Sequence, residues 1–182
     1  MLAVILLPVG LALLSNDKPI GVAFVAAGTL AAMRPLTIAI HELGHWIAAR
    51  LVGYRVVRIT LGTGPLVKRM RIAGTIIDLR RFLSTGSTLS YSRSSTPPKW
   101  RHAVMLLGGV TANALVAGTL AVFLGWHLAT NDLPSLTLIS VLWGAIVSEA
   151  FVAIFNLWPR RVAGHTRITA TDGQHLLDLI RA

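Results

Sequence analysis

The chain has 182 residues, 54% of them hydrophobic and only 13% charged, with a mean hydropathy of +0.67. A soluble domain covers its surface with about a quarter charged residues, so this composition excludes an ordinary soluble globule and predicts a single domain embedded in a membrane. The net charge of +10 does not read as nucleic-acid binding, because no aromatic interleaving or recognisable nucleic-acid fold accompanies it. The absence of cysteine excludes disulfides and thiolate ligands, which leaves any metal to His, Asp and Glu.

Residues 1–14 are an apolar run, short of the about 20 residues a span needs. No basic region precedes it and no small-residue cleavage site follows, so a retained membrane segment is expected rather than a signal peptide. Residues 20–33 are again short, and Arg34-Pro35 interrupts what comes next. Residues 20–52 therefore read as two helices meeting there or as one long helix kinked at the proline. The later part, 36–53, carries His41-Glu42-Leu43-Gly44-His45.

After Gly53 the period changes. Residues 55–61 and 66–79 are rich in Val, Ile and Thr and punctuated by Gly62, Gly64, Pro65 and Gly74, the pattern of short strands and turns. Residues 81–99 read as a Ser/Thr/Gly/Pro-rich loop. Two membrane helices follow, 102–128 and 136–158, joined by a polar turn at 129–135 containing Asn131, Asp132 and Pro134. Residues 160–167 are polar and basic, and Asp172-Gly173 opens a short amphipathic tail over 174–182. The expected fold is a multi-span helical bundle, with three core helices, one or two N-terminal segments and a small membrane-associated β-region.

The region 54–101 holds ten cations, opposed only by Asp78. A basic block between spans is expected on the cytoplasmic side, together with Arg160-Arg161 and the C-terminal tail. The 129–135 turn then lies outside, the His41 helix runs inward, and Arg34 falls near the outer side. A multi-pass protein of a bacterial cytoplasmic membrane is the expected setting.

His41 and His45 stand four apart and so share one helical face, with Glu42 beside them. This is the HExxH pattern, two zinc ligands and a general base. The bland alternative is a pair of helix histidines bonding their neighbours. Three ionisable groups within five residues of a membrane helix weigh against it, because such groups are costly there and usually functional. A zinc site needs a third protein ligand and an open position. Asp17 and Asp132 sit in turns, and Asp78 has Arg80 nearby as an ion-pair partner. On spacing alone Asp172 and the intramembrane Glu149 are equal candidates.

Beyond this point the chain resembles a family, the site-2 proteases, which are intramembrane zinc metalloproteases. His41-Glu42-Leu43-Gly44-His45 is similar to the family's HExGH form. Residues 59–65, Ile-Thr-Leu-Gly-Thr-Gly-Pro, resemble its Gly-x-Gly-Pro turn. Gly109-Val110-Thr111-Ala112-Asn113 resembles the second core helix, with Val110 where proline is usual. Phe155-Asn156-Leu157-Trp158-Pro159 and Asp172-Gly173 resemble the Asn-x-x-Pro and Asp-Gly motif of the third, here separated by an unusually long stretch, 160–171. The resemblance covers about residues 36–177. It implies Asp172 as the third zinc ligand and leaves Glu149 a helix-packing or substrate-path residue. It also implies that Asn113 and Asn156 hold the substrate backbone or the tetrahedral intermediate. Gly108 and Gly109 are read as close-packing glycines.

The function expected is regulated intramembrane proteolysis. Zinc held by His41, His45 and Asp172 acidifies a water, Glu42 takes its proton and passes it to the leaving amine, and the substrate is a transmembrane protein unwound near its scissile bond. The β-prone 55–79 segment is expected to take the substrate as an added strand. The alternatives are a catalytically silent scaffold of the same fold, which has no need of Glu42, and a metal transporter. A transporter calls for more intramembrane acids and repeated architecture.

Overall fold

The computed structural model describes residues 2–16, 18–130, 135–163 and 168–181. Asp17 and the Asn131–Pro134 part of the polar turn lie outside the described residues. Apolar runs become helices: α1 (Leu2–Ser15), α2 (Ile20–Leu51), α3 (Lys99–Ala129) and α4 (Leu136–Leu157). Between α2 and α3 lie two long strands, β1 (Tyr54–Ile72) and β2 (Thr75–Ser92). After α4 come the short β3 (Arg161–Ala163) and β4 (Ile168–Ala170), and then α5 (Asp172–Arg181). The architecture is the expected one, mostly helical with a small sheet region.

Residues 20–51 form one continuous helix with Pro35 inside it, not two. At 32 residues it is about 48 Å long, more than the roughly 30 Å hydrocarbon core. α2, α3 and α4 are each long and apolar enough to cross a membrane, whereas α1 is shorter. Their outer faces keep apolar side chains in the open, as Val122 (74% exposed) and Trp126 (69%) do. Such surface is stable only against lipid.

The chain divides into two compact units that cut across these helices. One comprises residues 1–37 and 114–151. Within it, glycines allow close backbone approach. A side chain at Gly10 would strike Val25, and one at Gly144 would lie 2.7 Å from the Thr29 Cβ. Thr37 Oγ1 sits 3.0 Å from Ser148 Oγ and donates to Glu149 Oε1 at 2.9 Å, so the fully buried Glu149 is engaged in joining α2 to α4.

The other unit comprises residues 38–113 and 152–182. Its apolar centre is Ala49, Tyr54, Val56 and Ile59, with Trp46, Val52, Leu61 and Met105 packed around them. β1 and β2 pair along three stretches, with shifts of register between them. Residues 54–61 run antiparallel to 86–92, and 66–72 to 75–80, while 58–61 also meet 76–79 on their other edge. The strand thus continues to Ser92, through residues whose Ser/Thr/Gly composition reads as a loop, because 54–61 offers them a hydrogen-bonding edge. Ala73 and Gly74, both at positive φ (47° and 81°), make the tight turn between the strands. The fully buried Asp78 pairs with Arg69 (2.6 and 3.0 Å), directly opposite it in the ladder, rather than with Arg80. Arg80 donates instead to the Gly64 carbonyl.

In the long stretch before Asp172 the described residues form the paired strands β3 and β4, and their base is pinned. Thr171 Oγ1 donates to the Trp158 carbonyl at 2.8 Å, and Thr171 N donates to the Arg160 carbonyl at 3.1 Å. The inserted residues therefore leave and return at one point. Thr171 also caps α5, accepting from Gln174 N. A side chain on Gly173 would strike the Leu157 carbonyl, so only glycine lets α5 start this close to the end of α4.

Candidate metal centre

Helical spacing on α2 puts the rings of His41 and His45 side by side, their Nε2 atoms 3.1 Å apart. α5 then brings the Asp172 Oδ2 to 3.0 Å from His41 Nε2 and 3.3 Å from His45 Nε2. Among the described residues these three form the group able to hold a metal ion. A tetrahedral zinc with bonds near 2.0–2.1 Å has ligand atoms about 3.3 Å apart, so the three separations are those of one slightly compressed face.

The far sides of both rings are fixed. His41 Nδ1 lies 2.7 Å from Asn113 Oδ1, and His45 Nδ1 lies 2.8 Å from the Met105 carbonyl. A carbonyl only accepts, so His45 Nδ1 carries a proton, and a neutral His45 ring presents its Nε2 lone pair to the cluster. Lone pairs of imidazole and carboxylate converging on one point suit a shared cation, and such outer hydrogen bonds are what hold metal-binding histidines in their tautomer. When no ion is held, the same Nε2 atoms carry protons and donate to the carboxylate, and these hydrogen bonds and charges outweigh the upward push of burial and hold Asp172 at about 2. The donor set is therefore two imidazoles and an ionised carboxylate, a combination that fits zinc.

Space for an ion is kept by α3. A side chain at Gly109 would put its Cβ 2.6 Å from His45 Nε2 and 2.7 Å from His41 Nε2, over the ground an ion would occupy. The Gly44 of the His-Glu-Leu-Gly-His segment serves the crossing itself, since a Cβ there would strike the Gly108 carbonyl and lie 2.7 Å from the Ala112 Cβ. Glu42, buried beside the histidines, accepts a 2.6 Å hydrogen bond from Thr88 Oγ1 on β2.

Of the residues singled out in the sequence, His41, His45 and Asp172 lie in mutual contact, with Asn113 on His41 and Glu42 next in chain. Asn113 meets the back of the His41 ring, and Asn156 donates to the Val152 carbonyl of its own helix at 3.0 Å. Glu149 belongs to the contact with Thr37 described above. Sequence reasoning did not find Thr88, the Met105 carbonyl or the spacing role of Gly109. A backbone carbonyl leaves no mark in a sequence, and the other two acquire their roles only through tertiary placement.

The sequence model of the family described as Peptidase family M50 matches residues 29–181. A protein of Synechocystis sp. (strain ATCC 27184 / PCC 6803 / Kazusa), provisionally described as a zinc metalloprotease, is 45% identical over 58 residues. That stretch is 32% of this chain and 15% of the relative's length.

Proposed function

Since this chain belongs to peptidase family M50, we propose that it is a zinc-dependent endopeptidase that hydrolyses peptide bonds of transmembrane substrates within or beside the bilayer. The observation that carries the reading is the convergence of His41 Nε2, His45 Nε2 and the Asp172 carboxylate, beside Glu42, on a helix long enough to cross a membrane.

In this reading His41, His45 and Asp172 hold the ion, and a zinc ion so held supplies an acidified water and an electrophile for the scissile carbonyl. Asn113 and the Met105 carbonyl keep the two rings in register with it. Glu42 takes a proton from the attacking water and delivers it to the leaving amine. The packing of α2, α3 and β2 around Glu42 and the histidines, all buried, limits bulk water at the reacting bond. Glu42 also favours a catalyst over a silent scaffold, because binding alone has no use for a buried carboxylate at this position.

A substrate helix must open before its carbonyls can be reached, and an extended segment needs an edge to pair with. Residues 58–61, inside the stretch first expected to take the substrate, are occupied on both sides within the sheet. Among the described residues the outer edge of 86–92 is unpaired, and the same strand turns one face to Glu42. The substrate strand therefore adds there.

The test is cleavage of a membrane peptide by purified zinc-loaded protein in lipid nanodiscs, against Glu42→Gln. Loss of the general base should lower kcat by about 10²–10⁴ while zinc content stays the same. Undiminished cleavage by Glu42→Gln would sink the mechanism.

A further inference from the structure

The far half of β2 carries a pattern that the metal site does not explain. From Gly86 to Ser92 the even-numbered residues are half-buried and the odd-numbered ones exposed, the alternation of a strand with one face on the protein. The inward residues are small. Gly86 lies against Glu42, where an added Cβ would come within 2.6 Å of the Glu42 Cγ and would strike its carboxylate. Thr88 Oγ1 donates to Glu42 Oε2 at 2.6 Å, a charge-assisted distance. Ser90 Oγ contacts the Met105 sulfur at 3.0 Å, on the residue whose carbonyl holds His45. One face of one strand thus touches the proposed base twice and the support of a histidine once.

We propose that Thr88 is a positioning residue, whose hydroxyl fixes the carboxylate of Glu42 in the orientation needed for proton transfer, with Gly86 leaving the room for it. The proposal rests on the base role assigned to Glu42 above. A carboxylate on a helix has several rotamers, and a hydrogen bond from a separate element selects one of them. Thr88 sits on the same strand whose outer edge is offered to the substrate, so the strand that receives the scissile segment also sets the base.

The experiment compares Thr88→Val, Thr88→Ser and Glu42→Gln in the full-length, zinc-loaded protein. Valine keeps the shape and removes the hydroxyl, whereas serine keeps the hydroxyl. Thr88→Val is expected to lower kcat by about 10–100-fold with KM within about twofold, since misplacing a catalytic group by about 1 Å costs rate on that scale. Thr88→Ser is expected to restore most of the rate, and zinc content should be the same in all three variants. A readout free of substrate is the carboxylate stretching band of Glu42, isolated as the infrared difference between wild type and Glu42→Gln. It should shift in Thr88→Val and return in Thr88→Ser. Full kcat in Thr88→Val beside an inactive Glu42→Gln overturns this inference alone, as does a raised KM with unchanged kcat or an unshifted band. Cleavage by Glu42→Gln overturns the base role and this inference with it.

Discussion

At the scale of single residues, the centre separates what spacing encodes from what packing supplies. His41 and His45 were legible because four residues is a helical repeat, and Glu42 because it stands between them. The choice of Asp172 over Glu149 did not follow from spacing and rested on resemblance. In the structure Asp172 faces the histidine pair and Glu149 is bound up with Thr37. Gly109 was read as a packing glycine, yet a Cβ there falls on the two Nε2 atoms. This gives a sharp expectation for Gly109→Ala. Alanine is favoured over glycine in a helix interior by about 1 kcal/mol, and the clash is with side-chain ends that can swing away, so the fold survives. The rings, once displaced, lose their hold on Asn113 Oδ1 and the Met105 carbonyl. Zinc affinity should fall by more than the roughly 10–100-fold typical of outer hydrogen-bond losses. Metal analysis after dialysis against a graded chelator checks it, and zinc retention equal to wild type would refute the spacing role.

At the scale of elements, the membrane helices were legible from hydropathy alone, and the sheet was legible only in part. Residues 55–61 and 66–79 announce strands by their β-branched content. Residues 81–92 do not, because their conformation is imposed by the edge of 54–61 rather than by their own propensity. The pairing of β3 with β4 was hidden for a related reason, since two three-residue strands carry little propensity signal of their own and the Thr171 clasp reaches back to Trp158, thirteen residues earlier. The sheet's own anchor is the buried carboxylate of Asp78. The Arg69 hydrogen bonds and charge, with help from Arg58 and Arg80, hold it below the usual carboxylate range against the effect of burial. A carboxyl with a lowered folded pKa contributes stability that is present above its unfolded pKa, about 3.9, and is lost as pH falls through the folded value. Asp78→Asn should therefore make the β-region more open to limited proteolysis near neutrality. The gap between variant and wild type should begin to narrow as the pH falls below about 5, where the unfolded chain's carboxyl takes up its proton, and should close only below the lowered folded value. A gap that stays constant over that range would mean that the Arg69 pair does not anchor the sheet.

At the scale of the whole molecule, charge distribution and span count make one prediction about sidedness. Of the ten cations from Tyr54 to Arg101, eight lie between the spans α2 and α3 and the other two, Lys99 and Arg101, stand in the first turn of α3, while Arg160-Arg161 follows α4. The positive-inside rule places both on the cytoplasmic side, and three spans in alternation then put the end of α3 and the start of α2 outside. The chain has no cysteine, so single cysteines can be added at exposed sites without removing any. Ser94, between β2 and α3, and Thr130, at the end of α3, are both exposed. In intact cells a membrane-impermeant maleimide should label Thr130→Cys and leave Ser94→Cys unlabelled. Once the membrane is opened both should react. Moving the charge should test the cause as well as the outcome. Replacing Arg55, Arg81 and Arg93, all exposed, with neutral residues weakens the basic block while leaving in place the arginines that act on Asp78, and it should raise the fraction of Ser94→Cys labelled from outside. Labelling of Ser94→Cys in intact wild-type cells would invert the topology. The Glu42 side of the sheet would then open to the exterior, and the substrate edge at 86–92 would receive its segment from that side of the membrane.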